Sequence, residues 1–212
     1  MRRLLCLAIA ISSAATGAVV IDRIAAVVGR HAIKVSDVDR DLRLTDFLNG
    51  QPLLENADAK RKSADRLIDQ QIIRDELATG GYERASDADA NAMLAQIRQN
   101  RYAGSEARLR QALANYGLNE DTLREQLVWQ LTVLKFIDQR FRAGALVTDE
   151  EVRGYYDQHP DLRKASFESV APKIRDTLQG EQVNKQFDEW LAAARKQARV
   201  EFRQAAFQGV SQ

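Results

Sequence analysis

The chain has 212 residues and carries 31 Lys and Arg against 30 Asp and Glu, a formal net charge of +1. That balance leaves no basic excess to hold a nucleic-acid backbone. With 45% hydrophobic and 29% charged residues the chain can bury a core, yet it is too polar for a membrane protein. Only 3 Pro and 11 Gly interrupt it, which favours long helices over many short strands and predicts a mainly α fold.

The first segment sets the expected compartment. Met1, Arg2 and Arg3 form a charged start, Leu4 to Ile11 an apolar run, and Ser12 to Ala18 a small-residue stretch. This is the pattern of a secretory signal peptide over residues 1–18, with cleavage expected after Ala18. A membrane anchor is the alternative, but a span needs about 20 apolar residues and this run breaks at Ser12 and Ser13. Cleavage would remove Cys6 and leave a chain with no thiol, in keeping with an oxidising compartment. Without Arg2 and Arg3 the balance is 29 basic to 30 acidic side chains, a net charge of −1.

Ile21 to Asp39 reads as a hairpin feeding a helix. Ile24, Ala26 and Val28 alternate with Ala25 and Val27, Gly29 with Arg30 and His31 supplies a turn, and Ile33 and Val35 resume the period of two. Ser36 and Asp39 have capping-box spacing ahead of Val38, Leu42 and Leu44, so a first helix is expected from Ser36 to about Leu48, ended by Asn49-Gly50-Gln51-Pro52. A second helix is expected from about Ala57 to Ala78, with Leu67, Ile68, Ile72, Ile73 and Leu77 inward and Gly80-Gly81 closing it. Ser86 with Asp89 opens a third helix, ending near Tyr102 and Gly104. A shorter one runs from Ser105 to Tyr116, stopped by Gly117.

The longest apolar pattern follows Asn119. Leu123, Leu127, Leu131, Leu134, Ile137 and Phe141 form a main stripe, and Trp129, Val133 and Phe136 a second stripe offset around the same helix. A helix apolar on two sides is usually central in a bundle; alternatively the second stripe lines a groove for apolar guests. Between these readings, Trp129 is expected in the core and Phe136 in the groove, near the charged helix end of Lys135, Arg140 and Arg142. Thr148 with Glu151 caps another helix that carries Tyr155 and Tyr156 and stops by Pro160. Pro172 suits a first helical turn, so a last helix is expected from near Ala171 to about Ala198, with Gly180 a weak point. Val200 and Phe202 then alternate as a short strand, which needs a partner and is expected to find it in the N-terminal hairpin. The fold class is thus a helical bundle with a small β-sheet formed by an N-terminal hairpin and a C-terminal strand.

Catalytic signals are weak. Asp149, Glu150 and Glu151 are read as compensation of a helix dipole, and His31 and His159 have no neighbours at metal-ligand spacing. No phosphate-cradling Gly motif is present. No catalytic residue, metal site or cofactor is expected.

The run RIAAVVGRHAIKVSDVDRDLR resembles the start of the N-terminal domain of the SurA-type periplasmic chaperones and peptidyl-prolyl isomerases. LIDQQIIRDELATGGYERASDADANAMLAQI is similar to that family's second and third helices, and LRQALANYGLNEDTLREQLVWQLTVLKFIDQRF to its fourth and fifth. VTDEEVRGYYDQH resembles the segment where its core hands over to a parvulin isomerase domain. The resemblance covers about residues 20–159 and resumes in the last helix and strand, dividing the chain into 19–159 and a closing segment 160–212. Only fifteen residues, 157–171, stand where a parvulin domain would be inserted, too few for a folded domain.

The resemblance implies a periplasmic, ATP-independent holdase for unfolded exported polypeptides, outer-membrane protein precursors among them, without isomerase activity. Tyr102, Tyr116, Trp129, Phe136, Tyr155 and Tyr156 are the candidate client contacts, because flat amphipathic rings suit adaptable recognition. Two alternatives stay open: a non-catalytic subunit of an envelope export or assembly complex, and a residual prolyl isomerase. Neither nucleic acid nor a membrane span in the mature form is expected, and the sequence leaves the oligomeric state open, a homodimer included.

Overall fold

The structure is a computed structural model that describes residues 22–203 and Phe207. The signal-peptide reading of residues 1–18 lies outside the described residues. Strands β1 (Ile24–Val28) and β2 (His31–Lys34) form an antiparallel hairpin around Gly29, whose φ of +57° suits the glycine. Seven α-helices follow among the described residues: α1 (Val35–Asn49), α2 (Ala57–Thr79), α3 (Asp87–Tyr102), α4 (Glu106–Asn115), α5 (Glu120–Phe141), α6 (Asp149–Gln158) and α7 (Phe167–Gln197). The short strand β3 (Val200–Phe202) pairs antiparallel with β1, Ala26 opposite Phe202 and Val28 opposite Val200, giving the order β2-β1-β3. The mainly α fold and the closure of the sheet by the C-terminal strand are both as expected.

Local chemistry sets most helix starts. The side chains of Ser86, Ser105, Asn119 and Thr148 each accept a backbone N–H from the first turn of α3, α4, α5 and α6. At Ser86 and Thr148 the reciprocal carboxylates, Asp89 and Glu151, complete capping boxes.

The start of α1 departs from the expected Ser36–Asp39 box. Lys34 is the N-cap, and its N–H donates to Asp37 at 3.1 Å. Val35 is therefore helical rather than part of β2. The Ser36 hydroxyl is held by the Asp22 carboxylate, fourteen residues earlier, and Asp39 pairs instead with Lys60 at 2.9 Å. A partner distant in sequence has displaced the local cap.

Helix α7 begins a turn before the expected Ala171, and Pro172 lies inside it. The missing Pro172 N–H leaves the Glu168 carbonyl without its helical donor. Tertiary contacts hold the extra turn: Phe167 packs edge-on against Tyr156 at 5.5 Å, and the Arg153 guanidinium lies 3.6 Å from its ring centroid. The helix runs unbroken through Gly180. Between α6 and α7 the chain makes only a 3-10 turn at Pro160–Lys164, with no inserted domain.

Three apolar clusters make the core. One joins the sheet to α1, α2 and the end of α7 through Ala26, Val28, Val38, Ile68 and Trp190. A second joins α1, α3, α4 and the first half of α5 through Phe47, Leu94, Leu109, Leu113, Leu123 and Leu127. The third joins α2, α7 and the second half of α5 through Ile73, Phe136, Phe141 and Val183.

Helix α5 thus turns different faces to two cores, and this corrects two expectations. Leu134, placed on the main stripe, is 60% exposed, and Phe136, placed in a groove, is 0% exposed. Phe136 meets Tyr82 edge-on at 4.8 Å and Trp190 at 5.3 Å. A single straight stripe holds only while one neighbour faces the helix, and around Leu131 the neighbours change from α3 and α4 to α2 and α7.

Candidate functional site: a crevice between α1, α2 and α5

Helices α1, α2 and α5, with β2 at one end, enclose a cavity of about 360 Å³. Each helix contributes the same face, at positions i, i+3, i+4 and i+7. From α1 these are Asp37, Arg40, Asp41 and Leu44; from α2, Leu67, Gln70, Gln71 and Arg74; from α5, Thr122, Glu125, Gln126 and Trp129. Ala32 and Ile33 of β2 complete the wall. Each helix brings one large apolar residue and otherwise polar side chains, so the lining is amphipathic.

The polar side of this wall is partly fixed. Asp41 is buried and its carboxylate accepts from Arg66 at 2.6 Å, Ser63 at 2.8 Å and Gln70 at 3.3 Å. Its charge is thereby paired and hydrogen-bonded, as a buried carboxylate requires. Gln71 donates to Asp75 at 2.8 Å. On the apolar side Trp129 is half-buried, and the Arg74 guanidinium stacks 3.9 Å from its ring centroid. Burial on that face, and then the nearby positive charge of Arg84, lower the Arg74 pKa from its ordinary value.

The six aromatic candidates do not converge. Trp129 alone lines this crevice, the reverse of its expected place in the core, although its buried edge packs against the third cluster. Phe136 is inaccessible. Tyr116 has a supporting place, its hydroxyl donating to Gln51 O at 2.8 Å and its ring edge-on to Phe47 at 5.6 Å. Tyr156 likewise donates to Ala165 O at 2.8 Å. Tyr102 is half-buried beside Arg101 at the rim of the second cluster. Tyr155 stacks on His159 at 3.8 Å and borders a separate cavity of about 440 Å³ between α6 and α7.

Sequence reasoning passed over Arg40, Gln70, Gln71, Arg74 and Gln126. The signal that would have found them is the shared i, i+3, i+4, i+7 pattern on three helices, polar with a single large apolar residue on each. Nothing in the crevice pairs a nucleophile with a base. What the lining can do is stack on a guest side chain through Trp129, bury apolar atoms against Ile33, Leu44 and Leu67, and hydrogen-bond a guest backbone through side-chain amides.

No protein-family model matches the chain. Over 149 residues it is 30% identical to a protein described as Chaperone SurA from Pectobacterium atrosepticum, a match over 69% of this chain and 34% of that protein. The chain therefore spans about a third of the length of that relative. Over the matched segment it is SurA-like in sequence. Among the described residues no helix is long and apolar enough to cross a membrane.

Proposed function

We propose that the chain is a periplasmic, ATP-independent holdase for unfolded exported polypeptides, including outer-membrane β-barrel precursors, and that it works without catalysis. Residues 19–159 are the client-binding unit in this reading, and residues 160–212 close it. The observation that carries the proposal is the amphipathic crevice built from one face of each of three helices, with Trp129 at its apolar side. The similarity to a protein described as a chaperone supports it.

The mechanism is physical. Barrel precursors expose segments in which apolar and polar residues alternate. A crevice with apolar and polar walls accepts such a segment without demanding one sequence. Binding that buries little area, offset by the ordering of a flexible guest, stays weak enough for release without nucleotide. Purified protein lacking residues 1–18 should suppress aggregation of an unfolded outer-membrane protein as it is diluted from denaturant. Trp129→Ala should lose most of that suppression with the fold intact. Full suppression by the variant would move the site elsewhere, and none by the parent would end the holdase reading.

A further inference from the structure

Two of the cations lining the crevice have no ion-pair partner among the described residues. Asp41 is neutralised by Arg66, and Asp37 is engaged by the Lys34 N–H. Of the remaining lining charges, Arg40 and Arg74 stand against Asp37 and Glu125, and neither arginine forms an ion pair among the described residues. Arg74 is the most constrained of them. One face of its guanidinium is taken by the Trp129 ring, and the positive charge of Arg84 stands near enough to disfavour its own. A stacked arginine still has in-plane N–H groups directed outward, where a planar carboxylate can accept two of them.

We infer that the crevice selects, among unfolded segments, those carrying an acidic side chain beside an apolar one, with the guest carboxylate on Arg74 and the apolar residue against Ile33, Leu44 and Leu67. This rests on the holdase reading and adds to it the chemical class of client segment. In an extended guest, residues two apart lie on one face, about 7 Å along the chain. An acidic and an apolar residue at that spacing therefore address one wall together. The stacked geometry favours Arg over Lys at position 74, because the ring holds the planar fork in place.

The test uses two fluorescently labelled, C-terminally amidated peptides, identical but for a Glu or a Gln two residues from a Phe, titrated with protein lacking residues 1–18 and read by anisotropy. The Glu peptide should bind about ten-fold more tightly, and the advantage should shrink with added salt. Arg74→Gln should abolish the preference, so that the two peptides bind alike, and Arg74→Lys should keep only part of it. Thermal melts of both variants verify folding. Equal affinity of the two peptides for the parent, or a preference that survives Arg74→Gln, overturns the inference. In either case, binding that still depends on Trp129 leaves the holdase reading standing. Absence of binding by both peptides sinks the two together. A preference for acid that appears only with a free C-terminal carboxyl also overturns it, in favour of chain-end capture.

Discussion

The hydroxyl of Thr132, midway along α5, accepts the backbone N–H of Ala85 at 3.1 Å and lies 2.7 Å from the carbonyl of Val128, to which it donates. Both residues are buried. The bond fastens the α2–α3 connection to α5 at the point where that helix passes from one apolar cluster to the next. Thr132→Val keeps the shape but orphans the Ala85 N–H, so it should cost about 1–3 kcal/mol. Thr132→Ser keeps the oxygen and should cost less. Urea denaturation of the two variants decides it.

The two faces of α5 give a second prediction. Phe136→Ala should destabilise by about 3–5 kcal/mol and Leu127→Ala by about 2–5 kcal/mol, since both are closed in on all sides. Leu134→Ala, at an exposed position, should stay within about 0.5 kcal/mol. Trp129→Ala should cost less than Phe136→Ala while weakening client binding more than any of the others. Equal losses of stability at all four positions would contradict the assignment of faces.

Caps that the sequence spells out locally were readable: Ser86 with Asp89, Ser105, Asn119 and Thr148 with Glu151 all open helices where their spacing predicts. The strand at Val200 was also readable, because a lone short strand has to pair and the hairpin was the available partner. Ser36 failed because Asp22, beyond the reach of any local pattern, competes for its hydroxyl. Phe136 and Leu134 were exchanged between core and surface because periodicity reports which residues share a face, not which neighbour that face meets. Arg74 went unnoticed for a related reason. An arginine on an amphipathic helix reads as solvated until the structure shows Trp129 beneath it.

Acid should loosen the starts of α3 and α6. Asp89 and Glu151 are held below their ordinary values of 3.8 and 4.5, first by backbone N–H donation and then by the hydroxyls of Ser86 and Thr148. A carboxylate whose folded pKa is depressed contributes stability above its unfolded value and loses it as pH falls through the folded one. The urea midpoint should therefore drop between about pH 5 and pH 2, and Asp89→Asn with Glu151→Gln should flatten that limb. An unchanged slope in the double variant would rule out the boxes as its source.

Truncation tests the sheet. Gly29 donates its N–H to Arg199 O, and Arg203 donates to Ala25 O, both at 2.9 Å. Removing residues 199–212 takes away β3 and should raise amide exchange at Gly29 and along the edge of β1 that β3 covers. The bonds between β1 and β2 should lose less. Protection unchanged at Gly29 would disprove the pairing.

Because β1 lies between β2 and β3, the first strand to be made is the last to be completed. A ribosome or translocation pore releases the hairpin and seven helices while the opposite side of β1 is still bare, and the sheet waits for residues 200–202. Closing so wide a loop is slow compared with forming the local helices. During that interval the protein displays an unpaired strand edge of the kind that other unfolded chains seek. Its own assembly passes through a state in which it needs protection from aggregation.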